Sequence, residues 1–518
     1  MPFHLTQEPW IPCTTPSGGR VELGLREAFA RAHELTAIHD PSPLVTLTLH
    51  RLLLAILHRV FGPRDLGAYV AMFERGRFDM EPLDRYFEEH RSRFDLLDAE
   101  RPFYQTRGLP YEPDGLHRLV LERSNYGAPA SVFQHRPEGL GQTEVLSFAL
   151  AARSLLVLHA FAPGGLVKKP GEPDSATAAP LNRGAYVLLE GRTSFETLML
   201  NLVEYQPTSG RPIPGEPSKD LPSWEQPALP RPLGAKEPRR KPYGWVDLLT
   251  WQSRRVELAL SNDGQGVRGI TYCVGQGLDF EGLLEPMLAY RLDAARGLVA
   301  VEISESRALF RDCHSLVRGV AADGATAPKA VLQVARRELR PVVGTGGWRW
   351  VAVYGLRGEK GKIHLTRGER LAIPQALVES EEHLAALFEL TQLMEEVADH
   401  LRMAVRTAAQ EALAPGARDP DKDDVSRIAK HLGAEPTFWA AVQVPFQNAL
   451  QHLAAGDQSA KVRFASAVRK AAEVALHEAI SALGSSARQL QGGAKAEARL
   501  NANLAGLMAQ VAQVGGGT

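Results

Sequence analysis

Residues 387–405 read LFELTQLMEEVADHLRMAV. Leu387, Leu390, Met394, Val397, Leu401 and Val405 recur at steps of three or four, and Glu389, Glu395, Glu396, Asp399 and Arg402 fall between them. A helix turns once in about 3.6 residues, so this spacing draws one apolar stripe along one face. The pattern returns downstream in Phe438, Val442, Phe446, Leu450 and Leu453, and again in Phe464, Val468, Ala471, Ala475, Ala479 and Leu483. Ala494 to Val511 supplies a fourth candidate. Four amphipathic helices with short connections favour an antiparallel bundle over residues 376–518. Gly484 is placed to stop the third helix, and Pro445 should kink the second because it removes a backbone donor. Asp419, Asp421, Asp423 and Asp424 read as a solvated, helix-initiating loop; the glycine and glutamate of a calcium loop are missing from their spacing.

Upstream of Pro374 the texture changes. Strand-like runs and isolated helical segments alternate, broken by Gly and Pro, which predicts one irregular mixed α/β body over residues 1–375. The fold class is therefore α+β, a large mixed N-terminal domain followed by a four-helix bundle. Pro43 to Phe61 and Val145 to Ala160 carry helical apolar faces and read as core helices. Trp348 to Tyr354 and Lys362 to Leu365 flank Arg357-Gly358-Glu359-Lys360-Gly361, the signature of two strands joined by a glycine-containing turn. Lys168 to Ala179 and the proline-dense Gln206 to Lys241 read as long mobile loops. In Leu248-Leu249-Thr250-Trp251-Gln252-Ser253-Arg254-Arg255 the alternation suits a strand with Trp251 inward, its arginines bracing the body or contacting nucleic acid, bracing being favoured.

Composition limits what the chain can do. Its 518 residues carry 59 Lys plus Arg against 60 Asp plus Glu, a net charge of -1, so overall charge gives no support to nucleic-acid binding and any such contact must come from local patches. Cys13, Cys273 and Cys313 are too far apart for a disulfide framework or zinc spacing, which points to a reducing cytoplasm. The apolar stretch Leu52 to Val60 is interrupted by His58 and Arg59 and reads as too short and polar to cross a bilayer. No phosphate loop, HExxH or nucleophile elbow is present; Gly358-Glu359-Lys360-Gly361-Lys362 is too short for a phosphate loop and is followed by Ile363 where Ser or Thr would hold magnesium. Glu88-Glu89-His90 and Cys313-His314 are sequence neighbours whose side chains diverge, and they read as solvated. No catalysis, cofactor or metal is expected.

Several segments, in order along nearly the whole chain, resemble the CasA family of type I-E CRISPR surveillance complexes. They are Leu5-Thr6-Gln7-Glu8-Pro9-Trp10-Ile11-Pro12, Phe94-Asp95-Leu96 with Arg101-Pro102-Phe103-Tyr104-Gln105-Thr106, Ser131-Val132-Phe133-Gln134-His135, Phe161-Ala162-Pro163-Gly164-Gly165, Thr197-Leu198-Met199-Leu200-Asn201-Leu202, the 248–255 run, and Phe438-Trp439 with Pro445-Phe446. The resemblance implies a non-catalytic subunit of a Cascade assembly whose guide RNA reads the target by base pairing, while this subunit reads the short adjacent motif, the PAM. The implied partners are the other Cascade subunits, crRNA, double-stranded target DNA and a recruited helicase-nuclease, with no membrane. A structural scaffold and an enzyme of unrecognised chemistry are the alternatives.

By resemblance Gly164 and Gly165 form the loop that approaches the PAM from the minor groove, where a bare backbone fits a floor roughly 6 Å wide; taken alone they also suit an ordinary turn. Arg357, Gly358, Glu359, Lys360, Gly361 and Lys362 match a wedge hairpin beneath the PAM base pairs, with Lys360 at a tip where the family example carries an amide. The family's lysine finger falls near Val274 to Gly277, which holds no lysine, leaving Gln276 as the candidate base contact. Phe133, Gln134 and His135 match a loop facing the guide RNA or neighbouring subunits, with Phe133 suited either to stacking or to a core. Lys168, Lys169, Arg239, Arg240 and Lys241, and on the bundle Lys461, Arg463, Arg469 and Lys470, are candidate phosphate contacts.

Overall fold

A computed structural model describes residues 2–123, 145–169, 172–228, 239–293, 295–304, 308–317, 327–344, 348–359, 362–378, 380–413, 419–457 and 459–515. The Phe133, Gln134 and His135 loop, together with Lys360 and Gly361, lies outside them. The chain divides into two compact units. One comprises Met1–Ile303, Gly319–Gly344 and Arg349–Ala372, and the other Ser304–Arg318, Thr345–Trp348 and Ile373–Thr518.

The first unit is the mixed α+β body. Among the described residues no sheet has more than three strands: Ile11–Thr14 lies between Arg20–Leu23 and Ala37–Ile38, Val267–Val274 between Asp114–Gly115 and Arg254–Leu260, and Trp348–Glu359 between Tyr186–Glu190 and Lys362–Pro374. Two hairpins stand apart, Gly165–Lys169 with Glu172–Ala176, and Tyr290–Asp293 with Gly297–Ala300. Sheets this small cannot make a core alone. A helix, Pro43–Val60, supplies it by burying fifteen of its eighteen residues against Phe148–Phe161, Ser194–Asn201 and Trp245–Leu249. Ser42 caps it, accepting from Val45 N at 3.2 Å, and Pro43 occupies the first turn where no donor is missed.

That helix is longer than the Leu52–Val60 stretch suggests. By length and composition it could cross a membrane, at eighteen residues and mean hydropathy 1.3, yet 83% of it is buried inside the protein, as in a core helix. Its polar residues have internal roles. Arg51 pairs with Glu285 and lies 5.3 Å from the Trp245 ring centre, and His50 bonds Thr46 O at 2.8 Å. His58 is buried with neither ring nitrogen bonded, and burial pushes its pKa down to about 3.

The second unit contains four long helices, Glu381–Leu413, Ala434–Ala454, Ala460–Leu483 and Ala487–Gly515. The first packs on each of the other three, the second on the third, and the third on the fourth. Every residue of the 387–405 stripe is buried, as are Phe438, Val442, Phe446, Leu450 and Leu453. The helix over Ala434–Ala454 continues through Pro445. A short helix not read from periodicity, Lys422–His431, precedes it, and Asp421 caps this helix by accepting from Asp423 N and Asp424 N. Ser304–Arg318 also belongs here: Phe310 packs on Trp439 and Phe446, and Arg311 pairs with Glu395 at 2.7 Å beneath the Trp439 ring.

Four expectations need correction. Trp245–Leu249 is a helix, and the strand begins only at Arg254, so Trp251 is packed inward from an irregular segment. Lys168 to Ala179 is largely a hairpin rather than a loop, pairing Gly165 with Ala176 through Lys169 with Glu172. The part of Gln206 to Lys241 up to residue 228 is held in place, with Trp224 buried and donating to Tyr86 Oη at 2.7 Å and Glu225 bonding Arg59 and the same Tyr86. Finally, Cys313 is fully buried rather than solvated, and burial pushes its thiol up to about 12.

Candidate nucleic-acid interface

The Phe148–Phe161 helix starts at Ser147, whose side chain accepts from Leu150 N. It ends where Ala162 turns to φ -52, ψ 128, and Pro163 then carries the chain out to the two glycines. A Cβ on Gly164 would stand 3.0 Å from Ala178 N, so a side chain there would crowd the backbone that leaves the hairpin. Gly165 has φ +143, a conformation side-chain-bearing residues avoid, and open space around it. Each glycine is required for a different reason, one for spacing and one for backbone conformation. Beyond them Val167 points inward and Leu166 is 68% exposed. At its start the glycine hairpin therefore presents bare backbone next to the exposed Leu166 side chain.

Its base is stitched to the body. Ala179 N donates to Ala162 O at 2.9 Å and Leu181 N to Ala160 O at 2.8 Å. Arg254, 3% exposed, donates to Pro163 O at 2.7 Å and Thr177 O at 3.0 Å. Its neighbour Ser253 donates to His159 O at 2.8 Å, and buried Arg255 donates to Val274 O. Both arginines of the 248–255 run are thus internal braces.

The structure brings Gln276 and the Arg239–Arg240 pair to the same place. Gln276 O accepts from Trp251 Nε1 at 3.0 Å, and Arg240 N donates to Gly277 O at 3.1 Å. A Cβ on Gly275 would be 2.4 Å from Arg254 N, and one on Gly277 would be 3.1 Å from Arg239 Cγ and 3.6 Å from Thr177 Oγ1. Arg240 is not available to a phosphate. Its guanidinium pairs with Asp247 at 2.6 Å and lies 4.3 Å from the Tyr243 ring centre and 4.2 Å from that of Trp251. Arg239 is exposed and, among the described residues, has no ion-pair partner. It lies over Gly277 beside the hairpin's return strand, a placement that sequence order alone does not reveal.

The remaining candidates lie elsewhere. Lys168 and Lys169 are in the first hairpin strand, and Lys241 is exposed beyond Arg240. Arg357, exposed, and Gly358 and Glu359 end one strand of the long hairpin, and Lys362 begins the other. On the third long helix Lys461 pairs with Glu389, Arg463 with Asp457, and Arg469 with Glu473 at 2.8 Å, while Lys470 is exposed. A carboxylate therefore already neutralises three of those four cations.

A cleft of about 690 Å³ lies beside the long hairpin, lined by apolar residues together with His39, Asp40, His50, Glu190 and Arg370. Asp40 holds Arg153 and Ser42 N there, Glu190 holds Arg370, and burial pushes His50 down to about 4, while His39 is exposed. Among the described residues no group of three His, Cys, Asp or Glu side chains is placed to hold a metal.

Residues 4–483 match the family model of CRISPR-associated protein Cse1. The CRISPR-associated protein CasA/Cse1 of Thermus thermophilus is 35% identical over 456 residues, 86% of either chain. A crystal structure of Thermus thermophilus CasA superposes with a TM-score of 0.81 at 31% identity, covering 98% of this chain and 100% of that one. A chain of a CRISPR RNA-guided surveillance complex has the same fold, with a TM-score of 0.76 at 22% identity over 96% of this chain and 99% of that one.

Proposed function

Because the chain belongs to the CRISPR-associated protein Cse1 family, we propose that it is the large, non-catalytic subunit of a type I-E Cascade, assembled with crRNA and the other subunits. In this reading it recognises the PAM of double-stranded DNA from the minor groove, helps open the duplex so that the guide can pair, and helps recruit the helicase-nuclease for antiviral defence in the cytoplasm. Three buried free cysteines suit a reducing compartment. The observation that carries the reading is the glycine hairpin, two glycines required by close approach and backbone conformation on a strand pair anchored at its base. A backbone that close to a narrow groove reads width and the degenerate minor-groove pattern, so several PAM sequences are accepted. Arg239, beside the hairpin with no carboxylate partner among the described residues, provides the phosphate contact. The wedge is assigned to the Arg357 to Lys362 segment, with Lys360 as its foremost candidate.

Two measurements test this. A tagged chain purified from its native cells brings down a short, uniform guide RNA and a repeating backbone protein; recovery of the chain alone rejects the assembly role. In the reconstituted complex, reversing charge at Lys360 and Lys362 weakens binding of PAM-containing duplex. Unchanged binding rejects the wedge.

A further inference from the structure

We propose that Arg254 is the positioning residue of the glycine hairpin, one side chain that fixes where Gly164 and Gly165 stand by holding the main chain at both the hairpin's entry and its exit; for its functional consequence this rests on the PAM reading above. The entry is Pro163, the residue before Gly164, and the exit is Thr177, the residue after the return strand. Arg254 donates to the carbonyl of each, at 2.7 and 3.0 Å, and to Ser253 O at 2.7 Å. The guanidinium is planar, so the two carbonyls it bridges are held at a fixed separation and angle; a lysine ammonium is a single point with a flexible stem and cannot span them in the same way.

The anchor is itself immobile. Arg254 starts a strand paired with Val267–Val274, beginning at Val274, and its side chain is sealed from solvent. Gly275 lies so close to its backbone that any side chain there would displace it. Ser253 ties the preceding residue to His159 O on the helix that leads into the hairpin. A two-stranded hairpin of five residues a side is marginal by itself. Here the residues entering and leaving the hairpin are bonded to one guanidinium, and the helix that leads into it is bonded to the adjacent Ser253 hydroxyl, so the pose of the glycines is inherited from the body.

The test uses Arg254→Lys and Gly165→Ala in the reconstituted complex, reading the ratio of affinity for a PAM-containing duplex to that for the same duplex with the PAM scrambled. Arg254→Lys is expected to assemble normally and to bind single-stranded target complementary to the guide as the parent does. The duplex ratio should fall at least about tenfold, the scale of one charge-assisted hydrogen bond. A general structural defect would lower single-strand binding as well. If Arg254→Lys assembles and keeps the parent ratio while Gly165→Ala lowers it, the positioning role is overturned and the PAM reading stands. If Gly165→Ala leaves the ratio unchanged, the PAM reading of the hairpin falls. Amide exchange on the parent complex tests the anchor without any variant. The Gly165–Ala176 hairpin should exchange at least about tenfold more slowly than the Tyr290–Ala300 hairpin, a difference set by local opening free energy. Equal rates overturn the anchor even if Arg254→Lys fails to assemble.

Discussion

The long helices of the second unit bury Ala, Leu, Val, Met, Phe and Trp, with Thr391 the polar exception in the described part. The first unit buries His50, His58 and His159 and the guanidinium groups of Arg51, Arg153, Arg254 and Arg255. Its cations are fixed inside: Arg153 bonds Trp10 O, Asp40 and Glu22, and Arg51 bonds Glu285 and Leu248 O. The long helices of the second unit keep their cations outside, in exposed pairs such as Lys495 with Glu411 and Arg402 with Glu435; Arg311, on the segment packed against them, is the buried exception. Abundance of basic residues in a segment is therefore no guide to nucleic-acid contact. What matters is whether internal carbonyls or exchangeable surface carboxylates already hold the charge.

The contrast is broken most forcefully by acid. Burial holds His50 and His159 at about 4 and His58 at about 3 in the folded protein. Unfolded imidazoles take up protons below about 6.5. Between 6.5 and 4 the unfolded first unit therefore binds more protons, and its stability falls as pH falls, on the order of 2 kcal/mol per histidine by pH 5. Urea titrations at pH 7 and 5 should show the first unit's transition moving to lower urea, with a smaller shift in the helical unit's; equal shifts would erase the distinction. Next in size, Arg51→Met leaves Glu285 buried without its partner and should cost about 3–5 kcal/mol in the same titration, with much of the loss recovered in Arg51→Met/Glu285→Leu. Asp421→Ala removes the cap of Lys422–His431 and should cost about 1 kcal/mol, read from helical signal and denaturation midpoint. Smallest, Lys461→Ala breaks an exposed pair and should change stability by less than about 1 kcal/mol. The isolated chain should also bind duplex DNA weakly and lose that binding steeply as salt rises.

The helical unit is legible because a single stripe per helix is local information. Leu387 through Val405 can be assigned to a buried face without knowing the partner. Phe310 cannot, since its place against Trp439 and Phe446 depends on a chain reversal far from either in sequence. In the body, Pro43–Val60 shows its apolar character, but its alternation with small sheets leaves the topology unreadable. Trp251 reads rightly as buried and wrongly as strand, because the helix Trp245–Leu249 has only five residues and no periodicity to display. The glycines at 164 and 165 are marked by residue type alone, whereas Arg254 and Arg239 cannot be connected to them from the sequence, being held there by contacts that span dozens of residues. The signature run and the glycine hairpin are two ends of one arrangement.

The acceptors for Arg254 are main-chain oxygens, at Pro163 and Thr177. Every amino acid offers the same carbonyl, so this anchor places no demand on the side chains it encloses, Gly164 excepted because of its approach to Ala178 and Gly165 because of its positive φ. The segment that follows Gly165 and returns to Ala176 is consequently a cassette. Substitutions can accumulate there, or a segment from a relative can be grafted in, without disturbing the mount, so this edge of the body is free to vary while its surroundings stay as they were.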